Sequence, residues 1–159
     1  MIGKVKVEKN GPYIVSGGLS LSKERVVLGK EGEPEFWKKG EEYHRQEEYY
    51  LCRCGKSRDK PFCDHSHAER KFDGTETASM EKFEKQAKKI IGPGITLLDV
   101  PTLCSSARFC HLEGGTWTNV RNSDNPHTIK IAQQTAWNCP AGRLVVYDKK
   151  TGKPIEPKF

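Results

Sequence analysis

The chain has little with which to build one large core. Hydrophobic residues make up 35% of its 159 positions and aromatics 9%, against 30% charged, with only two methionines and three tryptophans. So thin an apolar fraction suits small modules stapled by bound groups better than a single large interior. Long apolar runs are missing too. No stretch approaches the roughly 20 residues that cross a bilayer, and the opening MIGKVKVEKNGPY holds no run of signal-peptide length. The expectation is a soluble, cytoplasmic protein with no membrane partner. Also absent are a Ser/His/Asp set, a glycine-rich phosphate loop after a strand, and paired carboxylates in an apolar setting. These gaps remove the usual substrate-processing sites, and the chain reads as a non-enzyme.

An acidic excess is lacking as well. The formal charge is +6, with 15 basic and 14 acidic side chains in residues 1–79 and 12 and 7 in residues 80–159. The second half therefore carries most of the positive field. No nucleic-acid-binding signature accompanies it, so the charge reads as a solvated face or as a docking surface for an acidic redox protein. Cysteine, by contrast, is plentiful, with six in the chain. In a reducing compartment they are metal ligands before they are disulfides.

The densest chemistry lies in LCRCGKSRDKPFCDHSH, where Cys52, Cys54, Cys63 and His67 fall within sixteen residues. Phe62 is its one large apolar side chain between the ligands, so a bound metal must supply the stabilisation that a core does not. Zinc prefers cysteine pairs spaced C-x2–4-C. The C-x-C pair suits one iron of a [2Fe–2S] cluster better, with Cys63 and His67 on the other iron. A Cys3His zinc site and disulfides are the alternatives.

This stretch resembles the CDGSH iron–sulfur domains, the mitoNEET-like proteins, with motif C-x-C-x2-[ST]-x3-P-x-C-D-G-[STA]-H. Cys52, Cys54, Ser57, Pro61, Cys63, Asp64, Ser66 and His67 match it, and His65 replaces the family glycine. The resemblance implies ligation by Cys52, Cys54, Cys63 and His67, a short helix after the ligand loop that Asp64 helps to order, and a supporting role for Ser57. It also implies a homodimer formed by strand exchange. Histidine tolerates the left-handed backbone that the glycine position calls for better than most residues do. A neutral imidazole ligand raises the reduction potential relative to a fourth thiolate, and protonating it frees the iron.

Around this loop the pattern is β-rich. Residues 2–9 alternate as a surface strand, Tyr13-Ile14-Val15 begins another, and Val26-Val27-Leu28 and Glu35-Phe36-Trp37 are further strand pieces. Trp37 reads as packing rather than as an electron relay. Tyr49, Tyr50 and Leu51 lead into the loop and shield one side of it, and Phe72 anchors the segment after it. Met80, Phe83, Ala87, Ile90 and Ile91 recur at helical spacing, which predicts a helix over 80–91 with Ser79 as N-cap and Gly92-Pro93-Gly94 as its stop. The chain thus divides into residues 1–79 and 80–159, the second beginning with that helix.

The second part reads as a strand over Ile95–Val100, a helix from Pro126 to Trp137 and a strand over Arg143–Asp148. Cys104, Cys110 and Cys139 are spread among them. The run C-x5-C, helix, then C-P-[SA]-G-x-L resembles divergent single-cluster ferredoxin-like domains over roughly residues 95–148. Three thiolates favour [3Fe–4S]. A [4Fe–4S] cluster needs a fourth ligand, for which His111 is the first candidate, or an open iron, and a Cys3His zinc site or a structural thiol set is the remaining choice. Arg108 and Arg143 stand as donors that would neutralise cluster charge.

The expected fold class is α+β, a β-rich CDGSH-type module followed by a small ferredoxin-like α+β module. The expected function is electron transfer with redox protein partners. Cluster storage, transfer or redox sensing through the histidine-ligated site is the rival, and a zinc-stapled interaction module is a third reading.

Overall fold

The computed structural model describes residues 3–44 and 46–156. Ile2 of the expected first strand and the last three residues of the tail lie outside them. Strand β1 (Lys4–Val7) turns at Asn10, which takes the left-handed conformation, and pairs antiparallel with β2 (Tyr13–Ser16). A second hairpin, β3 (Ser22–Leu28) with β4 (Pro34–Glu42), forms its own two-stranded sheet. Strand β5 (Glu48–Leu51) then returns to the open side of β2, giving the order β1-β2-β5. Val15 and Tyr49 are partners across this sheet and both are buried. The Tyr49 ring meets Phe62 edge-on, as does Tyr43, so three aromatics form the small apolar base beneath the ligand loop. A single helical turn, α1 (Ser66–Glu69), follows the loop.

By its contacts the chain forms two units. One comprises residues 1–24 and 39–79, the other residues 25–38 and 80–159. The outer part of the β3–β4 hairpin, residues 25–38, is therefore counted with the second unit, although the sequence division at residue 79 groups it with the first.

The second unit opens differently from expectation. Helix α2 covers only Phe83–Gln86, and Lys88–Ile91 is strand β6. The expected 80–91 helix is thus corrected to one turn and a strand. Ala87 is already extended, Met80 is exposed, and Gly92-Pro93-Gly94 is a hairpin turn into β7 (Ile95–Asp99) instead of a helix stop. Ile90 and Ile91 are β-branched and pair with Leu97 and Thr96. Ladder bonds and strand propensity override the helical spacing there. The turn must be glycine at Gly92, because an added Cβ would collide with the carbonyl oxygen of Val120.

A 3₁₀ turn (Pro101–Leu103) and a kinked 3₁₀ stretch (Phe109–Gly114) lead to helices α3 (Thr116–Arg121) and α4 (Pro126–Trp137), and β8 (Leu144–Asp148) closes the sheet as β6-β7-β8, all antiparallel. Asn125 caps α4 by accepting from the His127 amide at 2.9 Å, which satisfies one of the free amides of its first turn. Ile95, Leu97, Val120, Ala132, Ala136, Leu144 and Val146 form the core between sheet and helices. Thr116 and Thr135 satisfy each other inside it at 2.7 Å. The chain is α+β, with its β-rich part first.

Candidate metal centres

The first site is made by a strand that overshoots. Past β5 the chain pairs with itself: Cys52 N–H donates to Pro61 O at 2.8 Å, Cys63 N–H donates to Tyr50 O at 2.9 Å, and Leu51 bridges Phe62. This short ladder holds Cys52 and Cys63 at the two ends of one loop. Ser57, buried beneath the loop, donates to Phe62 O at 2.7 Å and accepts from Asp59 N–H at 3.0 Å. Asp64 accepts from the amides of Arg58 (2.9 Å) and Ser66 (3.0 Å), tying the loop to the start of α1. Those two amides hold its carboxyl well below the ordinary carboxylate range.

The donor atoms meet in two pairs. Cys52 Sγ lies 3.8 Å from Cys54 Sγ, and Cys63 Sγ lies 3.3 Å from His67 Nδ1. Two sulfurs bound at about 2.3 Å on one tetrahedral metal stand roughly 3.8 Å apart, and a sulfur and a nitrogen slightly closer. Each pair therefore has the spacing of two ligands on one metal, and the four donors would hold a two-metal centre with two protein ligands on each metal. Burial pushes the Cys52 thiol up, but backbone amides led by Ser57 and Gly55 outweigh it and hold the thiol below its usual value. Lys56 N–H points at Cys54 Sγ and His65 N–H at Cys63 Sγ, each at 3.4 Å, so the chain supplies donors to sulfur charge.

His65 adopts φ 66° and ψ 6°, the left-handed backbone that suits glycine. Its side chain is exposed, and one donor atom each from Cys63, His65 and His67 lies within 4.8 Å of the others. Arg53, which the sequence reading did not single out, fills the one-residue gap of the C-x-C pair. Its guanidinium donates to the carbonyls of Glu8 and Gly74 and lies over the rings of Tyr13 and Phe72. That turns the side chain between the two thiols away from the site. A lone arginine between cysteines carries no signal of this in sequence, because both carbonyls come from distant segments.

The second site stands at one end of the β6-β7-β8 sheet. Cys104 follows the 3₁₀ turn, with its amide donating to Pro101 O. Cys110 sits in the next 3₁₀ stretch, and Cys139 follows α4, its amide donating to Ala136 O. All three line one cavity with Arg108, Phe109 and Arg143. Arg108 takes the left-handed backbone that starts the Phe109–Gly114 stretch, as Ser106 does two residues earlier. His111 instead sets its ring edge-on to Trp117, with centroids 6.3 Å apart, and is not among the residues lining the cavity. Three soft thiolates lining one cavity fit an iron–sulfur cluster with three protein ligands.

Arg143 organises the rim. Val100 N–H donates to Arg143 O where β7 and β8 meet, which places Arg143 beside Asp99. The guanidinium grips that carboxylate twice, at 2.6 and 2.9 Å, and a further bond comes to it from Trp117 Nε1–H at 2.9 Å. Burial pushes Asp99 up, but these donors hold it below its ordinary value, while pairing with Asp99 raises Arg143. The Ser106 amide and then Arg143 lower the Cys104 thiol, whereas burial raises that of Cys110. Asp99 was not flagged in the sequence. Its only signal was an acidic residue closing an apolar strand.

Comparison with known families agrees with this geometry. Residues 10–68 match the family described as iron-binding zinc finger CDGSH type, and residues 90–149 match the divergent 4Fe–4S mono-cluster family. No curated protein is significantly similar to the chain. The chain is thus an iron–sulfur protein that joins a CDGSH-type domain to a divergent 4Fe–4S mono-cluster domain.

Proposed function

We propose that this protein is a small electron carrier, not a substrate-converting enzyme, with a [2Fe–2S] cluster in the first domain and a second iron–sulfur cluster in the other. The observation that carries the reading is the two-by-two convergence of donors, Cys52 with Cys54 and Cys63 with His67. Bound there, the cluster supplies one-electron chemistry. The chain's part would be to hold it through three thiolates and the one nitrogen donor of His67, and to aim amides at the sulfurs of Cys54 and Cys63.

For the second centre, [4Fe–4S] is the better reading than the [3Fe–4S] that three thiolates alone favour, because the matched family is described by that cluster. The fourth iron is then open or held by a non-thiolate donor. The excess positive charge of residues 80–159 would attract an acidic redox partner. Six free cysteines accord with a reducing cytoplasmic setting, and no described helix is long and apolar enough to cross a membrane.

Anaerobic iron and sulfide quantitation with EPR on wild type and Cys104→Ala tests the reading. The histidine-ligated centre should signal only after reduction and should survive in Cys104→Ala, while the second signal disappears. Folded, iron-free protein would refute it. The rival, cluster donation, draws on the single imidazole donor at Cys63–His67, since one displaceable ligand eases release. Rapid and complete transfer of the first cluster to an apo-ferredoxin would favour donation, and a retained, reversibly cycling cluster favours the carrier.

A further inference from the structure

The family match for the second cluster begins at residue 90, yet its ligand loops are gripped by residues far upstream. On β4, Glu35 and Trp37 are two apart and so share one face of the strand. The Trp37 ring stacks at a tilt on Phe109, with centroids 5.0 Å apart, and Phe109 immediately precedes the ligand Cys110. Trp37 Nε1–H donates to Asn138 O at 2.9 Å, and Asn138 Nδ2–H donates back to Glu35 O at 3.1 Å. Asn138 is the C-cap of α4 and immediately precedes the ligand Cys139. The carbonyls at a helix C-terminus lack intrahelical donors, and the indole supplies one of them. Phe109 is 2% exposed, so the stack closes that wall of the cavity to water.

We propose that residues 34–38 complete the second cluster site, with Trp37 as the positioning residue for Cys110 and Cys139. The inference rests on reading that cavity as an iron–sulfur site. It adds a third chain segment, from within the first domain's family match, to a site that otherwise lies wholly inside the second. Through Phe109 the indole fixes one ligand loop, and through Asn138 the other. A consequence is that the second cluster depends on sequence that the first family match covers but that packs with the second unit. Loosening the grip lets the two loops part and admits water beside the cluster. Water favours the more negative, reduced state of a cluster, so the potential should rise.

The test uses full-length holoprotein, with the histidine-ligated centre as internal control for folding. Trp37→Phe keeps a ring over Phe109 and loses the bond to Asn138, and Trp37→Ala loses both. The lifetime of the second centre in air should fall on the order of fivefold in the first variant and tenfold or more in the second. Its potential should move upward in the same order, while the signal and lifetime of the first centre stay as in wild type. A Trp37→Phe protein whose second centre keeps wild-type lifetime and potential would overturn the proposal, as would equal weakening of both centres in that variant. Wild-type protein with iron and sulfide for the first centre alone would overturn the reading of the cavity and this inference with it.

Discussion

Replacing Asp99 by asparagine should cost the second domain about 2–4 kcal/mol. In wild type the carboxylate takes two bonds from Arg143, at 2.6 and 2.9 Å, and one from Trp117 at 2.9 Å. Asparagine keeps the shape but offers one acceptor, and its amide hydrogens would face guanidinium hydrogens. At least one charge-assisted bond to Arg143 is therefore lost and the ion pair with it. Bonds to charged groups contribute roughly 1.5–3 kcal/mol each. The Asp99 and Arg143 side chains are 7% and 16% exposed, so solvent screens the pair only slightly. The carboxyl is held below its ordinary value, so its contribution is present wherever the unfolded carboxyl is ionised and is lost as pH falls through the folded value. The gap between wild type and Asp99→Asn should accordingly hold from pH 8 to about 5 and close only below about 4. Urea unfolding followed by far-UV circular dichroism, at matched cluster loading, measures it. A gap under about 1 kcal/mol at pH 7 would refute the argument. So would a gap that already narrows between pH 8 and 6, which would implicate a different titrating group.

Three other outcomes are expected. His67→Cys should lower the potential of the first centre and slow its loss in acid, because a thiolate adds negative charge and removes the protonatable imidazole; voltammetry and bleaching against pH read both. His65→Gly should raise the melting temperature of the first domain slightly, by the equivalent of up to about 1 kcal/mol, since the position has φ 66°; a lower melting temperature would mean that the imidazole contributes contacts outweighing the backbone strain. Gly92→Ala should destabilise the second domain by more than about 2 kcal/mol, because its Cβ would meet the Val120 carbonyl and neither backbone can yield without disturbing α3 or the hairpin.

The first site was legible because the donors that converge there are all local. Sixteen residues carry Cys52, Cys54, Cys63 and His67, and a short ladder between residues 50–52 and 61–63 is enough to fold them together. Helix α4 was equally readable, since Asn125 and Pro126 announce its start and Cys139-Pro140 follows its end. The segment 80–91 misled because its spacing suits a helix while its last two side chains suit a strand. Only the presence of β7 alongside decided between them.

What sequence by itself determined is the chemistry: soft donors in two groups, one with a histidine, on a chain with only 35% hydrophobic residues. Tertiary structure alone decided what surrounds those donors. Asp99 meets Arg143 across 44 residues, Arg53 reaches Gly74 across 21, and Trp37 meets Asn138 across 101. Such pairings are set by strand register and helix packing, which sum over the whole domain, whereas a ligand motif is set by the reach of a few backbone bonds.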